Sequence, residues 1–162
     1  MNLQEVVQVK PGEIRVTTVL GDAVDQAAPG AKVSMLGIGW NTISVARFPT
    51  IHTCAVAILV RIPWTATNQL LHLSVDDDGH SVSLQNHAID GEMQEAMKIE
   101  AQVNVGRPPF LDPGDEQVAV LAVPLSLSLR RPGRYSLIVR IEDQEIDRIS
   151  FKAVPQSPMP TA

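Results

Sequence analysis

Between Leu121 and Leu129 every second residue is a leucine or a valine: Leu121, Val123, Leu125, Leu127 and Leu129. The residues between them, Ala122, Pro124, Ser126 and Ser128, are small. A period of two puts all five large side chains on one face of a strand, whereas a helix would scatter them around its axis. After Pro132-Gly133 the alternation resumes through Tyr135, Leu137, Val139 and Ile141. A hairpin closed at that turn sets Leu129 opposite Tyr135, Leu127 opposite Leu137, Leu125 opposite Val139 and Val123 opposite Ile141. Pro124 has no N–H to give a ladder, so its position is expected to face an unpaired edge or a bulge.

The same period recurs along the chain. In LLHLSVDDDGHSVSLQ, Leu70 to Gln85, the Asp78-Gly79 pair is a two-residue hairpin signal. Closing it there sets Val75 opposite Val82 and Leu73 opposite Leu84, with His72, Ser74 and Asp76 on the polar face. The chain is expected to reverse again near Asp143-Gln144. Ile146 and Ile149 have opposite parity, so a bulge near Asp147-Arg148 is needed to return Ile149, Phe151 and Ala153 to the core. IRVTTVL, Ile14 to Leu20, is expected to meet KVSMLGI across AAPGA. CAVAILVRI is apolar on the parity of Cys54, Val56, Ile58, Val60 and Ile62 and small on the other, as suits a central strand covered on both faces. Met97, Ile99, Ala101, Val103 and Val105 alternate as well. Only Ile89, Met93 and Met97 have helical spacing, with Asp90 as a cap.

About eight or nine strands with frequent turns and almost no helix predict an all-β fold, a two-sheet antiparallel β-sandwich of immunoglobulin-like type. A closed β-barrel is the alternative. The close GRYSLIVRIEDQEI is similar to the last hairpin of such sandwiches, although their paired cysteines are missing. Residues 1–153 read as a single sandwich domain and 154–162 as a proline-rich, flexible C-terminal tail.

Composition narrows the partners. A net charge of −5 with scattered basic residues argues against nucleic acid and anionic membranes. No apolar run reaches the length of a membrane span, and the N-terminus does not read as a secretory signal. Cys54 is the one cysteine, which excludes an intrachain disulfide and a cysteine-based zinc site. A buried, inert thiol in the reducing cytoplasm is expected.

LGIGW, Leu36 to Trp40, has the look of a phosphate loop, but it lacks a third glycine and runs into the β-formers NTISV instead of a helix. A bend in the backbone around Trp40 is the reading adopted. Trp64 follows Pro63 at the end of the central strand, and both tryptophans lie where strands leave the sandwich. They are expected either to plug the ends of the core or to share an aromatic patch at one end. Arg130, Arg131 and Arg134 cluster about a turn. With Trp40 and Trp64 they form the candidate partner surface. His52, His72, His80 and His87 lack the HxxxH or HxH spacing that brings two imidazoles together, so they are not read as a metal site. Asp76, Asp77 and Asp78, joined by Asp112 and Asp115, would suit calcium only if the loops converge at one end.

The block KVSMLGIGWNTISVARFP, followed by an apolar strand and IPWTATNQLLHLSVDDDG, resembles a family of small, largely actinobacterial proteins of unknown function. A lysine-led strand, a G-x-G-W turn, a P-W-[ST] step and an acidic hairpin occur there in this order. The resemblance covers roughly Ile14 to Ala153. It implies a bacterial, cytoplasmic, all-β protein, and it implies no activity or catalytic residue.

No catalytic or cofactor-binding set assembles from this sequence, so the chain is expected not to be an enzyme and to need no cofactor or metal. The reading adopted is a non-enzymatic protein-interaction or scaffold module, binding a protein partner or itself as a homo-oligomer through an edge strand. The alternatives are a virion or other assembly component, and a domain binding a small ligand, a sugar or calcium.

Overall fold

A computed structural model describes residues 13–28, 31–77, 82–87, 93–96 and 98–157, with side chains undescribed at 77, 82–87, 93–96 and 98. In chain order the strands are β1 (Arg15–Gly21), β2 (Ala23–Gln26), β3 (Val33–Leu36), β4 (Thr42–Val45), β5 (Thr50–Pro63) and β6 (Gln69–Asp77). They continue with β7 (Val82–His87), β8 (Met93–Ala96), β9 (Lys98–Val105), β10 (Glu116–Leu129), β11 (Gly133–Ile141) and β12 (Gln144–Pro155). One short 3-10 turn, Trp64–Ala66, follows β5.

Two five-stranded sheets, ordered β1-β5-β10-β7-β8 and β4-β12-β11-β6-β9, pack face to face, and β2-β3 form a separate ribbon. The fold is the expected all-β sandwich. All described pairings are antiparallel except β12 with β4, which run parallel.

The core forms where the alternation places it. Val56, Ile58, Val60 and Ile62 of β5 and Leu125, Leu127 and Leu129 of β10 face Leu73, Tyr135, Leu137, Val139 and Phe151 of the second sheet, all buried. On the outer parity of β5, Ala55 and Ala57 are buried too, because the β2-β3 ribbon covers that face. Gly21 permits the approach: a Cβ there would lie 2.9 Å from the Leu36 carbonyl oxygen. The central strand covered on both faces is present as expected.

β11 and β12 form the expected hairpin. Its two-residue turn is Glu142-Asp143, both at positive φ (49° and 64°), the geometry that matches strand twist. The register shifts between Val139 and Arg140, so that Arg140 faces Glu145 and Val139 faces Asp147. Ile146 is therefore the extra residue, adjacent to the expected bulge. It is exposed, while Phe151 and Ala153 are buried.

The other two expected hairpins do not form. β6 pairs with β11 and β9, whereas β7 pairs with β10 and β8 in the opposite sheet. Likewise β10 and β11, joined at Pro132-Gly133, belong to different sheets. In both cases the consecutive strands lie in opposite sheets instead of side by side in one. The expected inward faces of β6, β10 and β11 are buried, but apolar faces that match side by side match equally well across the sandwich. The turn residues 78–81 lie outside the described residues. β1 pairs with β5, and KVSMLGI pairs with the intervening β2. The helical spacing around Met93 is overridden by β8, and Ile89, Asp90 and Met97 lie outside the described residues. β12 runs to Pro155, and Gln156 N donates to the Val45 carbonyl at 2.8 Å, so the last strand continues past Ala153. Among the described residues no helix is long and apolar enough to cross a membrane.

Candidate functional site

The candidate surface is the end of the sandwich where β10 passes into β11. Leu129 pairs with Thr50 and Val45 with Pro155, so the connections 46–49 and 130–132 leave the same end. Arg130, Arg131 and Arg134 are exposed there. Arg134 stands directly opposite Lys152 in the β11-β12 ladder. Arg47, on the connection from β4 to β5, is also exposed at this end. Lys152 and Arg47 were not singled out from sequence. Lys152 follows from the β11-β12 register once the bulge is counted; Arg47 carries no local signal.

Beneath this rim lies an aromatic stack. The Trp40 ring meets Phe151 edge-on at 6.0 Å and 81°. Phe151 lies parallel to Tyr135 at 5.6 Å and 14°. The buried Tyr135 hydroxyl donates to the Arg131 carbonyl and accepts from the Arg131 N–H at 3.3 Å. This tyrosine, near the start of a strand and tied to the backbone upstream, has the tyrosine-corner arrangement of immunoglobulin-like sandwiches. It holds the β10-β11 crossover, and the arginines on it, in place.

Trp40 also meets His52 edge-on at 6.1 Å. Burial holds the His52 imidazole below its ordinary pKa, outweighing the raising effect of Asp22. Trp40 Nε1 is buried and has no hydrogen-bond partner among the described residues. Burial, with a smaller push from Asp22, raises the Cys54 thiol to about 12. A thiol so placed is a neutral core group, not a nucleophile.

The glycines before Trp40 bend the chain. Gly37 and Gly39 have φ of 66° and 96°, the left-handed range that glycine enters without a Cβ penalty. A Cβ on Gly37 would strike the Asp22 carboxylate at 2.0 Å. The next element is strand β4, as the structural reading of LGIGW requires.

Trp64 is not part of this surface, which corrects the expectation of a shared aromatic patch. It follows the far end of β5, and at about 3.3 Å per residue the run from His52 to Trp64 spans roughly 40 Å. There the Arg107 guanidinium covers its ring, 3.8 Å from the centroid. Arg107 Nη2 donates to the Trp64 carbonyl at 2.9 Å and Nε to Thr67 Oγ1 at 2.7 Å. These contacts hold the half-buried Trp64 ring under a cation–π lid.

The aspartates do not converge either. Asp76 is ion-paired with Arg140. Asp115 is at the Trp64 end, where its carbonyl accepts from Trp64 N at 3.0 Å and its Oδ2 accepts from Asp112 N at 2.9 Å. Gln69 to Asp76 alone covers about 23 Å of strand. Asp78 lies outside the described residues. Of the histidines, His72 lies on the outer face beside Gln102, remote from His52. His80 lies outside the described residues, and only the backbone of His87 is described. Among the described residues no three His, Cys, Asp or Glu side chains group to hold a metal ion.

Residues 16–154 match the family of unknown function DUF6941, and the chain belongs to that family. No curated protein matches it. Among solved structures it is similar to the seventh ScaB type I cohesin from Pseudobacteroides cellulosolvens. That match has 11% identity and a TM-score of 0.41, covering 76% of this chain and 94% of the cohesin. It is also similar to an immunoglobulin-like protein from Pseudomonas aeruginosa, with 13% identity and a TM-score of 0.34, covering 89% of this chain and 98% of the other.

Proposed function

We propose that this member of a family of unknown function is a non-enzymatic protein-interaction module of the cytoplasm whose basic end docks an acidic segment of a partner protein. The observation that carries the reading is the Arg134–Lys152 pair, two cations held directly opposite each other in a ladder. Like charges so placed are destabilising, and a carboxylate lying between them relieves the repulsion. Arg47, Arg130 and Arg131 extend the same field at the strand ends, on a chain whose net charge is −5. The tyrosine corner fixes the crossover, so binding there orders little additional chain. The single, buried Cys54 suits a reducing compartment.

The test is titration of the full chain with a fluorescein-labelled deca-glutamate peptide at 25 mM and 300 mM salt. Binding at low salt that weakens at high salt, and is lost in Arg134→Glu/Lys152→Glu, supports the reading. Absence of binding at low salt, or binding unchanged by the double substitution, refutes it. An oligonucleotide of equal charge binding more tightly than the peptide would point to nucleic acid and also refute it.

A further inference from the structure

We propose that the seam between β9 and β10 accepts an extended, uncharged peptide segment, which adds as a strand to the Val118–Ala122 edge of β10 and displaces the side-chain amide of Gln26. This surface is separate from the basic end, and the inference does not depend on what that end binds.

β10 pairs with β5 along its whole length, but on its other side β7 pairs only with Leu127–Leu129. Among the described residues no strand continues that pairing toward Glu116. In a ladder the N–H and C=O of one residue point to the same side, and those of the next residue to the other. Trp64 N donates to the Asp115 carbonyl at the start of the unbroken β5-β10 register, so odd-numbered residues of β10 bond β5. The even-numbered residues Val118, Val120, Ala122, Pro124 and Ser126 therefore turn their backbone groups to this edge. Pro124 thus meets the condition set by its missing N–H.

Gln26 marks the edge as one that accepts a chain. Its Nε2 donates to the Val120 carbonyl at 3.2 Å, and its Oε1 accepts from Ala122 N at 3.4 Å. The same Nε2 donates to the Ala31 carbonyl at 2.9 Å. One side-chain amide therefore presents to β10 the donor and acceptor that a residue of a neighbouring strand would present. The long Oε1 contact and the shared Nε2 make it a weak substitute for main chain.

The seam is also incomplete on its apolar side. On the inward parity of β10, Leu125, Leu127 and Leu129 are 0–2% exposed, whereas Ala119 and Leu121 are only partly buried. Val103, across the groove on β9, is partly buried as well. β9 is the last strand of its sheet, so nothing among the described residues bridges the two sheets here. An open groove of about 480 Å³ lies between them. Among the described residues the polar side chains that line it are Gln26, Gln102, Asn104 and Gln117, and none of the lining side chains is charged. That neutrality selects against a charged occupant, which would lose its water without gaining a counter-charge. A strand with apolar side chains at alternate positions fits: main chain to the edge, one face to Leu121 and Val103. Pro124 offers no N–H, so the added ladder ends below it.

The probe is an acetylated, amidated heptapeptide alternating valine and threonine, added to the full ¹⁵N-labelled chain. Expected is saturable binding that moves the Val118, Val120 and Ala122 amide resonances and slows hydrogen exchange at Val118 and Val120 at least tenfold. Gln26→Ala removes the competitor, and its affinity for the peptide should rise about fivefold, the equivalent of one net hydrogen bond. The same peptide N-methylated at alternate residues keeps its side chains but cannot form a ladder, and it should not bind. Arg134→Glu/Lys152→Glu should bind the heptapeptide as the unaltered chain does. Equal binding of the N-methylated peptide, no binding at millimolar concentration, or shifts away from β10 would overturn the proposal. So would slow exchange at Val118 and Val120 in the peptide-free protein accompanied by a dimer in light scattering, since the occupant would then be a second copy.

Discussion

Phe151 is held between two aromatic rings from different parts of the chain, Trp40 edge-on at 6.0 Å and Tyr135 stacked at 5.6 Å. It thereby ties the loop after β3 to both strands of the β11-β12 hairpin. Phe151 is 2% exposed, so Phe151→Ala should cost about 3–5 kcal/mol by urea unfolding. Trp40 emission should shift to the red in the same variant. A loss under about 1 kcal/mol would mean that the stack contributes little.

Tyr135→Phe keeps the ring against Phe151 and removes only the hydroxyl that bonds the Arg131 backbone. The expected loss is about 0.5–1.5 kcal/mol. Faster amide exchange should appear at Arg131 and not in β5. An unchanged exchange rate at Arg131 would contradict the role given to the corner.

His52 gives a pH dependence of defined sign. Its folded pKa is lowered by burial, so below the unfolded value of about 6.5 the unfolded chain takes up the proton more readily. Stability should therefore fall as pH drops through 6.5 and level off below the folded pKa. His52→Gln should remove this component, so the fall in Tm between pH 7.5 and pH 5.5 should be smaller in the variant. An identical fall in both proteins would disprove it.

Cys54 is 1% exposed and its thiol is pushed up to about 12. At pH 8 the native protein should react with a thiol-specific disulfide reagent at least a hundredfold more slowly than the urea-unfolded chain. Rapid labelling of the native state would place the thiol at a surface.

Gly37 and Gly39 separate strain from crowding. Both have positive φ, so alanine at either should cost about 1–2 kcal/mol. Only at Gly37 does the new Cβ also meet Asp22, whereas nothing lies within 4 Å of one on Gly39. Gly37→Ala should therefore be the more destabilising of the two by thermal unfolding. The reverse order would show that Asp22 swings aside freely.

The β-sandwich, its inward faces and the bulge beside Asp147 were legible because each follows from parity within a single strand. Leu125, Leu127 and Leu129 point inward whichever strand lies beside them. The hairpins at Asp78-Gly79 and Pro132-Gly133 were misread for the same reason: parity is silent about whether a matching strand lies alongside or across the core. The candidate site was half legible. Arg130, Arg131 and Arg134 are neighbours in sequence, but Trp40 and Trp64 looked alike locally and sit at opposite ends of β5. Gln26 had no local signal, because its role depends on an edge that β7 leaves uncovered.

Alternation alone determined that this chain makes strands, which side chains they bury and where one residue too many forces a bulge, since these are contests between a side chain and water. Which strands pair was decided only in three dimensions. Backbone donors and acceptors are the same at every residue but proline, so partner choice rests on how two finished faces pack and which edges remain open. The basic end and the β10 edge are both products of that choice.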